Sequence, residues 1–345
     1  MKKTLAVVLA AVMALPLALF SSCATVSRFQ KSDLTLFDTQ TIIIGCEQSS
    51  HTFEQKADEI LDMLRRYHRL YDIYYEYDGI NNLTTVNSAA GKEPVPVDRE
   101  IIDLLLYSKE MHDLTGGKTN VALGSVLALW HSYREAGLDD PENASLPPME
   151  ELEKAALHTD IEKIIIDKEA GTVFLEDPEM RLDVGAVAKG YAVEMTARYF
   201  EDKGYTGYAL SVGGNVRCLG AKPNGEKWEI GIQNPDLSSD KAFYATAYLT
   251  TEALVTSGDY QRFYTVAEKK YHHIIDPHTL MPKSTYAAVS VISEHSGLAD
   301  ALSTALFNLS EEEGLAIAEK AGAHVAWVYH DGSVKMTDGF KALTK

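Results

Sequence analysis

Apolar residues recur at steps of three and four along several stretches of the chain, the spacing of one buried helix face. Over residues 53–71, Phe53, Ala57, Ile60, Leu61, Leu64 and Tyr71 fall on one side. Over 298–309, Leu298, Leu302, Ala305, Leu306 and Leu309 do the same, while Asp300 and Thr304, four apart, share a second face. The stretch D-V-G-A-V-A-K-G-Y-A-V-E-M-T-A-R-Y-F (183–200) predicts a turn entering a helix, with Ala188, Tyr191, Ala192, Met195 and Tyr199 as its buried face. Asp98 is placed to cap a helix running to about Asp113, and S-E-E-E (310–313) is a capping box for a helix ending near Gly322.

Other stretches alternate or are rich in branched and aromatic residues, which predicts strands. These are F-D-T-Q-T-I-I-I-G (37–45), a hairpin of K-I-I-I-D (163–167) and T-V-F-L-E (172–176), and Y-A-L-S-V-G-G-N (208–215), which ends in a Gly-Gly turn. W-E-I-G-I, F-Y-A-T-A-Y-L, V-T-S-G-D-Y and A-A-V-S-V-I-S follow, with Y-H-H-I-I-D-P read as a strand stopped by Pro277 and 324–337 as a hairpin around Asp331-Gly332. Between them lie an aromatic, turn-rich loop (Y-D-I-Y-Y-E-Y-D-G-I-N-N-L) and the loop T-G-G-K-T-N (115–120). V-A-L-G-S-V-L-A-L-W leads into another helix, and 136–150 reads as an exposed connection. Helices and strands mix without strict βαβ alternation, so the class is α+β.

The chain has 345 residues, enough for one large domain or two ordinary ones. Its net charge of −18 repels phosphate backbones and argues against nucleic-acid binding. The chain begins with two lysines, an apolar run containing Pro16 and then F-S-S-C, the layout of a secretory signal with a bacterial lipobox. Residues 1–22 are expected to be a signal peptide, Cys23 a lipidation site, 23–36 a tether and 37–345 the working domain. That places the protein outside the cytoplasm, anchored to the membrane on a bacterial cell surface or in a periplasm. Cys46 and Cys218 remain, a poor disulfide framework and no metal cluster.

Five stretches carry candidate chemistry, and each read alone has a bland alternative. D-V-G-A-V-A-K-G combines a glycine before a helix start with Lys189 one turn in, which suits an anion, or is a helix entry with a surface lysine. S-V-G-G-N is a close backbone approach to a ligand or an ordinary turn. T-S-G-D-Y-Q-R-F, with Ser257 and Gly258, cradles a polar ligand or is a surface turn. In H-H-I-I-D-P, His273 and Asp276 move protons, or are a structural histidine and a turn cap. Asp300 and Thr304 supply two hard oxygens to Mg²⁺, or Asp300 satisfies first-turn amides and Thr304 bonds back to the Asp300 carbonyl.

Taken together and in order, D-V-G-A-V-A-K-G-Y-A, S-V-G-G-N-V, T-S-G-D-Y-Q-R-F, H-H-I-I-D-P and A-D-A-L-S-T-A-L resemble the ApbE family of flavin transferases, many of them exported lipoproteins. Weaker matches at F-D-T-Q-T, N-N-L-T-T-V-N-S and T-N-V-A-L-G extend the resemblance over nearly the whole mature chain. It implies an α+β fold of mixed sheets and packed helices, with FAD in a cleft between two sub-regions. It implies Mg²⁺-dependent transfer of FMN from FAD to a Thr or Ser hydroxyl of an exported target flavoprotein, with release of AMP. The implied metal ligands are Asp300, Thr304 and the carbonyl of Ala186. The implied FAD contacts are Phe37, Tyr75, Ala122, Leu123, Gly124, Asp183, Lys189 and Ile275, joined by Ser257 and Gly258. His273, assisted by Asp276, is the implied catalytic residue. An FAD pyrophosphatase using water, and a lipoprotein that carries flavin without turnover, stay open.

Overall fold

The computed structural model describes residues 26–345, so the expected signal peptide and Cys23 lie outside the described residues. Its centre is an eight-stranded sheet. The strands, in hydrogen-bonded order, are β1 (Ser27–Asp33), β2 (Thr41–Glu47), β6 (Tyr208–Val212), β7 (Asn215–Leu219), β10 (Ala253–Gly258), β13 (Ala288–Ser293), β14 (His324–Val328) and β15 (Val334–Met336). Every neighbouring pair is antiparallel. Helices α1 (Ser50–Tyr71), α6 (Ala188–Asp202) and α7 (Ser296–Phe307) lie on one face. The hairpin β8 (Trp228–Gln233)–β9 (Phe243–Leu249) and α9 (Asp338–Ala342) cover the other.

Period-two patterning explains this layering. In β2, Ile43 packs with α1 while Ile44 and Cys46 face the β8–β9 side. All six residues of β13 are buried, because both of its faces are covered. Beside the sheet, β3 (Val95–Pro96), β4 (Ile164–Asp167) and β5 (Thr172–Leu175) form a small sheet in the order β3-β5-β4, packed with α2 (Leu83–Ser88) and α3 (Arg99–Leu114). A further cluster joins α4 (Gly124–Asp139), α5 (Met149–Ala156) and the hairpin β11 (Phe263–Val266)–β12 (Lys269–His272). Helix α8 (Glu311–Lys320) starts with the expected capping box at Ser310 and Glu313 and packs under β14. No helix among the described residues is long and apolar enough to cross a membrane.

Several expectations are corrected. Residues 27–33, expected in the tether, are β1, paired with β2 along their whole length; Phe29 stacks on Phe53 of α1 at 5.5 Å and docks the strand. The strand expected from Phe37 starts at Thr41, because Phe37 and Asp38 adopt left-handed backbone with φ of 54° and 50°. The stretch 208–215 turns at Gly213-Gly214 into a second strand. The strand expected to reach Pro277 ends at His272. Asp98 occupies a cap position without a side-chain cap bond and instead accepts from Arg66 at 3.3 Å. Part of the expected connection 136–150 belongs to the ends of α4 and α5. On α6, Met195 is only partly buried and Tyr199 is 47% exposed, while Val193, Thr196, Ala197 and Phe200 are buried; α1, α7 and the sheet together enclose a different arc than the spacing suggested.

A buried ionic knot ties α6 to the sheet and to α7. The Glu194 carboxylate accepts from Arg217 of β7 at 3.2 Å, from Arg198 at 2.8 Å and from the Ser296 amide that opens α7 at 2.7 Å. Burial pushes the Glu194 carboxyl up, but Arg217, His295, the Ser296 amide and Arg198 outweigh it and leave the pKa lowered. Truncating one partner of such a pair strands the other charge in the interior. Arg217→Ala is expected to lower unfolding free energy by about 3–5 kcal/mol in urea titrations. The neutral pair Glu194→Gln with Arg217→Met should lose much less, because it leaves no buried charge behind.

Candidate active site

A cleft with about 1920 Å³ of empty space, mouth included, opens where the ends of β6, β7 and β10 meet the start of α6 and the middle of α7. Its opposite wall is α4 and the β11–β12 hairpin. Lys118, His131, Arg134, Lys189, Arg262 and His273 line it alongside Asp38, Asp72, Asp183 and Asp300. In a chain of net charge −18 the positive charges of Lys118, Arg134, Lys189 and Arg262 at this cleft favour an anionic ligand.

The floor is built by two helices in close contact. Gly190, in the first turn of α6, lies against α7 so tightly that a Cβ would overlap Asp300 and the Ser296 carbonyl. Its N–H donates to Asp300 Oδ2 at 2.7 Å. Asp300 is 4% exposed and forms no ion pair with a cationic side chain among the described residues. Burial pushes its carboxyl up; Lys189, the Gly190 N–H and Asn215 pull it back only in part. Neither local alternative for this helix holds. His295, not Asp300, caps α7 by accepting from Leu298 N, and it is Ser303 whose hydroxyl bonds back to the Asp300 carbonyl, at 3.0 Å. Thr304 lines the cleft, as does Ala186.

Among the described residues no three His, Cys, Asp or Glu side chains are grouped to hold a metal. A carboxylate, a hydroxyl and a carbonyl are nonetheless all hard oxygens, the donor set of a divalent cation that keeps waters or phosphate oxygens in its shell. A buried carboxylate that makes no ion pair, with Lys189 offsetting its burial only in part, fits that charge. Beside this corner, Lys189 Nζ donates to the Gly185 carbonyl at 3.3 Å. Asp183 accepts from the Gly185 amide at 2.9 Å, and burial pushes its carboxyl up.

His273 stands on the opposite wall. Its Nδ1 lies 3.2 Å from the Arg262 carbonyl, which can only accept, so Nδ1 carries the proton and Nε2 keeps a free lone pair. Burial, then the Arg262 charge and then His272 hold its pKa down to about 3, so the ring is neutral at physiological pH. Asp276 requires a correction. It is buried away from the cleft, its Oδ1 accepting from Lys118 at 2.7 Å and its Oδ2 lying 3.2 Å from Lys283. Burial pushes the carboxyl up and Lys118, the His278 amide and Lys283 bring it below its usual range. Asp276 thus pins the loop after β12 to the 115–120 loop and does not serve His273. Ile275 lines the cleft beside His273.

The remaining expected contacts divide. Phe37 lines the mouth, its N–H donating to His68 Nδ1 at 3.2 Å. Asp72 accepts from the amides of Tyr74 and Tyr75 and from the Tyr77 hydroxyl, which fixes the aromatic loop. That loop places Tyr74 at the cleft, tilted on His131 with centroids 5.6 Å apart, while Tyr75 beside it is 67% exposed and does not line the cleft. Leu123 lines the cleft, and Ala122 and Gly124 flank it in the chain without lining the cleft themselves. Gly124 allows the start of α4 to press against the Arg181–Leu182 backbone. Ser257 and Gly258 line the cleft, Ser257 bonded to Ser303 of α7 at 2.8 Å.

The ApbE family model matches residues 38–328. The chain belongs to the ApbE family. The FAD:protein FMN transferase of Haemophilus influenzae is 28% identical over 355 residues, covering 100% of this chain and 99% of that protein. The FAD:protein FMN transferase of Treponema pallidum is 30% identical over 272 residues, covering 74% and 73%. The crystal structure of the ApbE protein from Thermotoga maritima is similar with a TM-score of 0.80 at 27% identity, covering 92% of this chain and 100% of that one.

Within this ApbE chain, Lys118, His131, Arg134, Asn215 and Arg262 border or brace the cleft without having been singled out in the sequence. Arg262 and Asn215 lie inside quoted motifs and could have been taken from them. His131 and Arg134 sit on a helix with no distinguishing pattern.

Two outcomes follow from this geometry. Gly190→Ala should destabilise the fold by about 1–3 kcal/mol, read by thermal or urea unfolding, since the helices must separate to admit the methyl. For His273, a folded pKa below the unfolded value of about 6.5 means that the unfolded chain binds the proton first. This residue therefore subtracts stability as pH falls below about 6.5. Its imidazole NMR signals should remain those of a neutral ring at pH 5, and a charged ring at that pH would contradict the assignment.

Proposed function

We propose that the chain transfers FMN from FAD to a Thr or Ser hydroxyl of a target flavoprotein, working in this cleft and releasing AMP. The observation that carries the proposal is the pairing, in one cleft, of the buried oxygen corner at Asp300, Thr304 and Ala186 with a neutral His273 on the facing wall. In the reaction the acceptor oxygen attacks the phosphorus of the FMN moiety. The bond from that phosphorus to the oxygen retained by AMP breaks, and the hydroxyl proton passes to His273 Nε2. Mg²⁺ held by Asp300, Thr304 and the Ala186 carbonyl would neutralise charge on the phosphoryl oxygens.

The chain's own residues supply the rest. Lys189 and Arg262 meet phosphate charge. Phe37, Tyr74 and His131 offer aromatic faces to the planar rings of FAD. The proposal includes export and anchoring through Cys23, supported by the signal-like leader and F-S-S-C. Only residues 24–26 separate Cys23 from β1, so a lipid there would hold the domain close to the membrane.

The test is incubation with FAD, Mg²⁺ and an FMN-binding acceptor domain, following covalent flavin by in-gel fluorescence and AMP by chromatography. Labelled acceptor with equimolar AMP is expected. Free FMN with unlabelled acceptor would make the enzyme a pyrophosphatase, and unchanged FAD would sink both. Asp300→Ala is expected to slow AMP release by at least about 100-fold, the scale of a few kcal/mol of lost charge stabilisation.

A further inference from the structure

Asn215 has no part in the chemistry described so far, yet it borders the cation corner. It is the first residue of β7, held by pairing with Val212 and preceded by the left-handed Gly213-Gly214 turn, whose Gly213 packs against Thr39. It lines the cleft floor, is 2% exposed, and its side-chain Nδ2 approaches the Asp300 carboxylate without completing a hydrogen bond of full geometry to any group. An unpaired buried N–H carries the full desolvation penalty of that group. The amide cannot simply be reversed. The side chain lies close enough to Asp300 to favour its charged form, and turning Oδ1 toward it would oppose two acceptors. Nδ2 is a donor and never a cation ligand, so its complement is an oxygen acceptor. Asp300 already accepts one fixed donor, the Gly190 N–H on Oδ2.

We infer that Asn215 is a positioning residue for Asp300: its Nδ2–H closes on the Asp300 carboxylate when a divalent cation is held there, and with Gly190 fixes the direction in which that carboxylate presents its oxygens. The inference rests on the reading of Asp300 and Thr304 as cation ligands. Outer partners of this kind typically change metal affinity 10- to 100-fold.

Mn²⁺ binding, measured by electron paramagnetic resonance without FAD, tests it on the wild type, Asp300→Ala, Asn215→Ala and Asn215→Leu. The leucine variant keeps the side-chain volume, so a cavity cannot account for its behaviour. Wild type should bind Mn²⁺ and Asp300→Ala should not. Both Asn215 variants should bind roughly 10- to 100-fold more weakly. Their melting temperatures without metal should be unchanged or higher, because an unpaired donor has been removed. Wild-type affinity in either Asn215 variant overturns the inference and leaves the cation site standing. So does a fall in metal-free melting temperature in both variants, which would make the amide structural. Absence of Asp300-dependent Mn²⁺ binding in the wild type overturns the cation reading itself, and this inference with it.

Discussion

The contact on which the site depends is the one between Gly190 and Asp300. Two helices on the same face of the sheet approach until backbone meets side chain, which only glycine permits. The approach turns an amide of the first turn of α6 onto a carboxylate of α7. It also explains the composition of α7, where Gly297, Ala299, Ala301 and Ser303 keep the helix thin enough to be buried on nearly all sides between α6 and the sheet. The Glu194–Arg217 knot joins α6 to β7 and, through the Ser296 amide, clamps the start of α7. Asp300 is thus held from below by close packing and from the side by ion pairs that it does not join. A carboxylate so fixed can be desolvated without collapsing onto a lysine, and its charge stays available to the cleft.

The opposite wall is held by different means. The loop after β12 buries Ile274 against the α7 core and Ile275 and Leu280 against α4, a buried ion pair between Lys118 and Asp276 joins it to the 115–120 loop, and Trp130 donates to the Leu280 carbonyl at 3.0 Å. The mouth is held by a third means. Phe37 and Asp38 sit in left-handed backbone that non-glycine residues seldom adopt, and the Arg262 guanidinium reaches the Asp38 carbonyl at 3.4 Å. Strain of that kind persists only where surrounding contacts impose it.

The sequence revealed the floor more fully than the walls. Asp300 and Thr304 could be read from helical spacing, and the capping box of α8 and the 163–176 hairpin from local chemistry, because those signals are carried by neighbours in the chain. The β1 strand escaped because an edge strand with one useful aromatic, Phe29, has too little apolar alternation to stand out from a linker. The resemblance points to Tyr75, but an aromatic loop does not say which ring turns inward; the Asp72 carboxylate at the end of α1 fixes the loop and sets Tyr74 at the cleft. Asp276 reads as catalytic from its place at the end of an expected strand beside His273. Its partners in space, Lys118 and Lys283, lie 158 and 7 residues away, and only the fold brings the first of them in.

The electrostatics of the two walls bear on each other. An imidazole with a pKa of about 3 is a poor base, and its weakness comes from burial and from the Arg262 charge beside it. A ligand carrying phosphates and drawn to Lys189 and Arg262 would reverse part of that effect, because a nearby anion favours the protonated ring. His273 would then gain basicity when an anionic substrate is seated and lose it when the cleft is open to water. In a cleft where an acceptor hydroxyl and water compete for one phosphorus, basicity that depends on seating disfavours idle proton abstraction from solvent. The arginine that weakens His273 also bridges to Asp38 at the mouth, so the residue that sets the strength of the base also helps to set how open the cleft is.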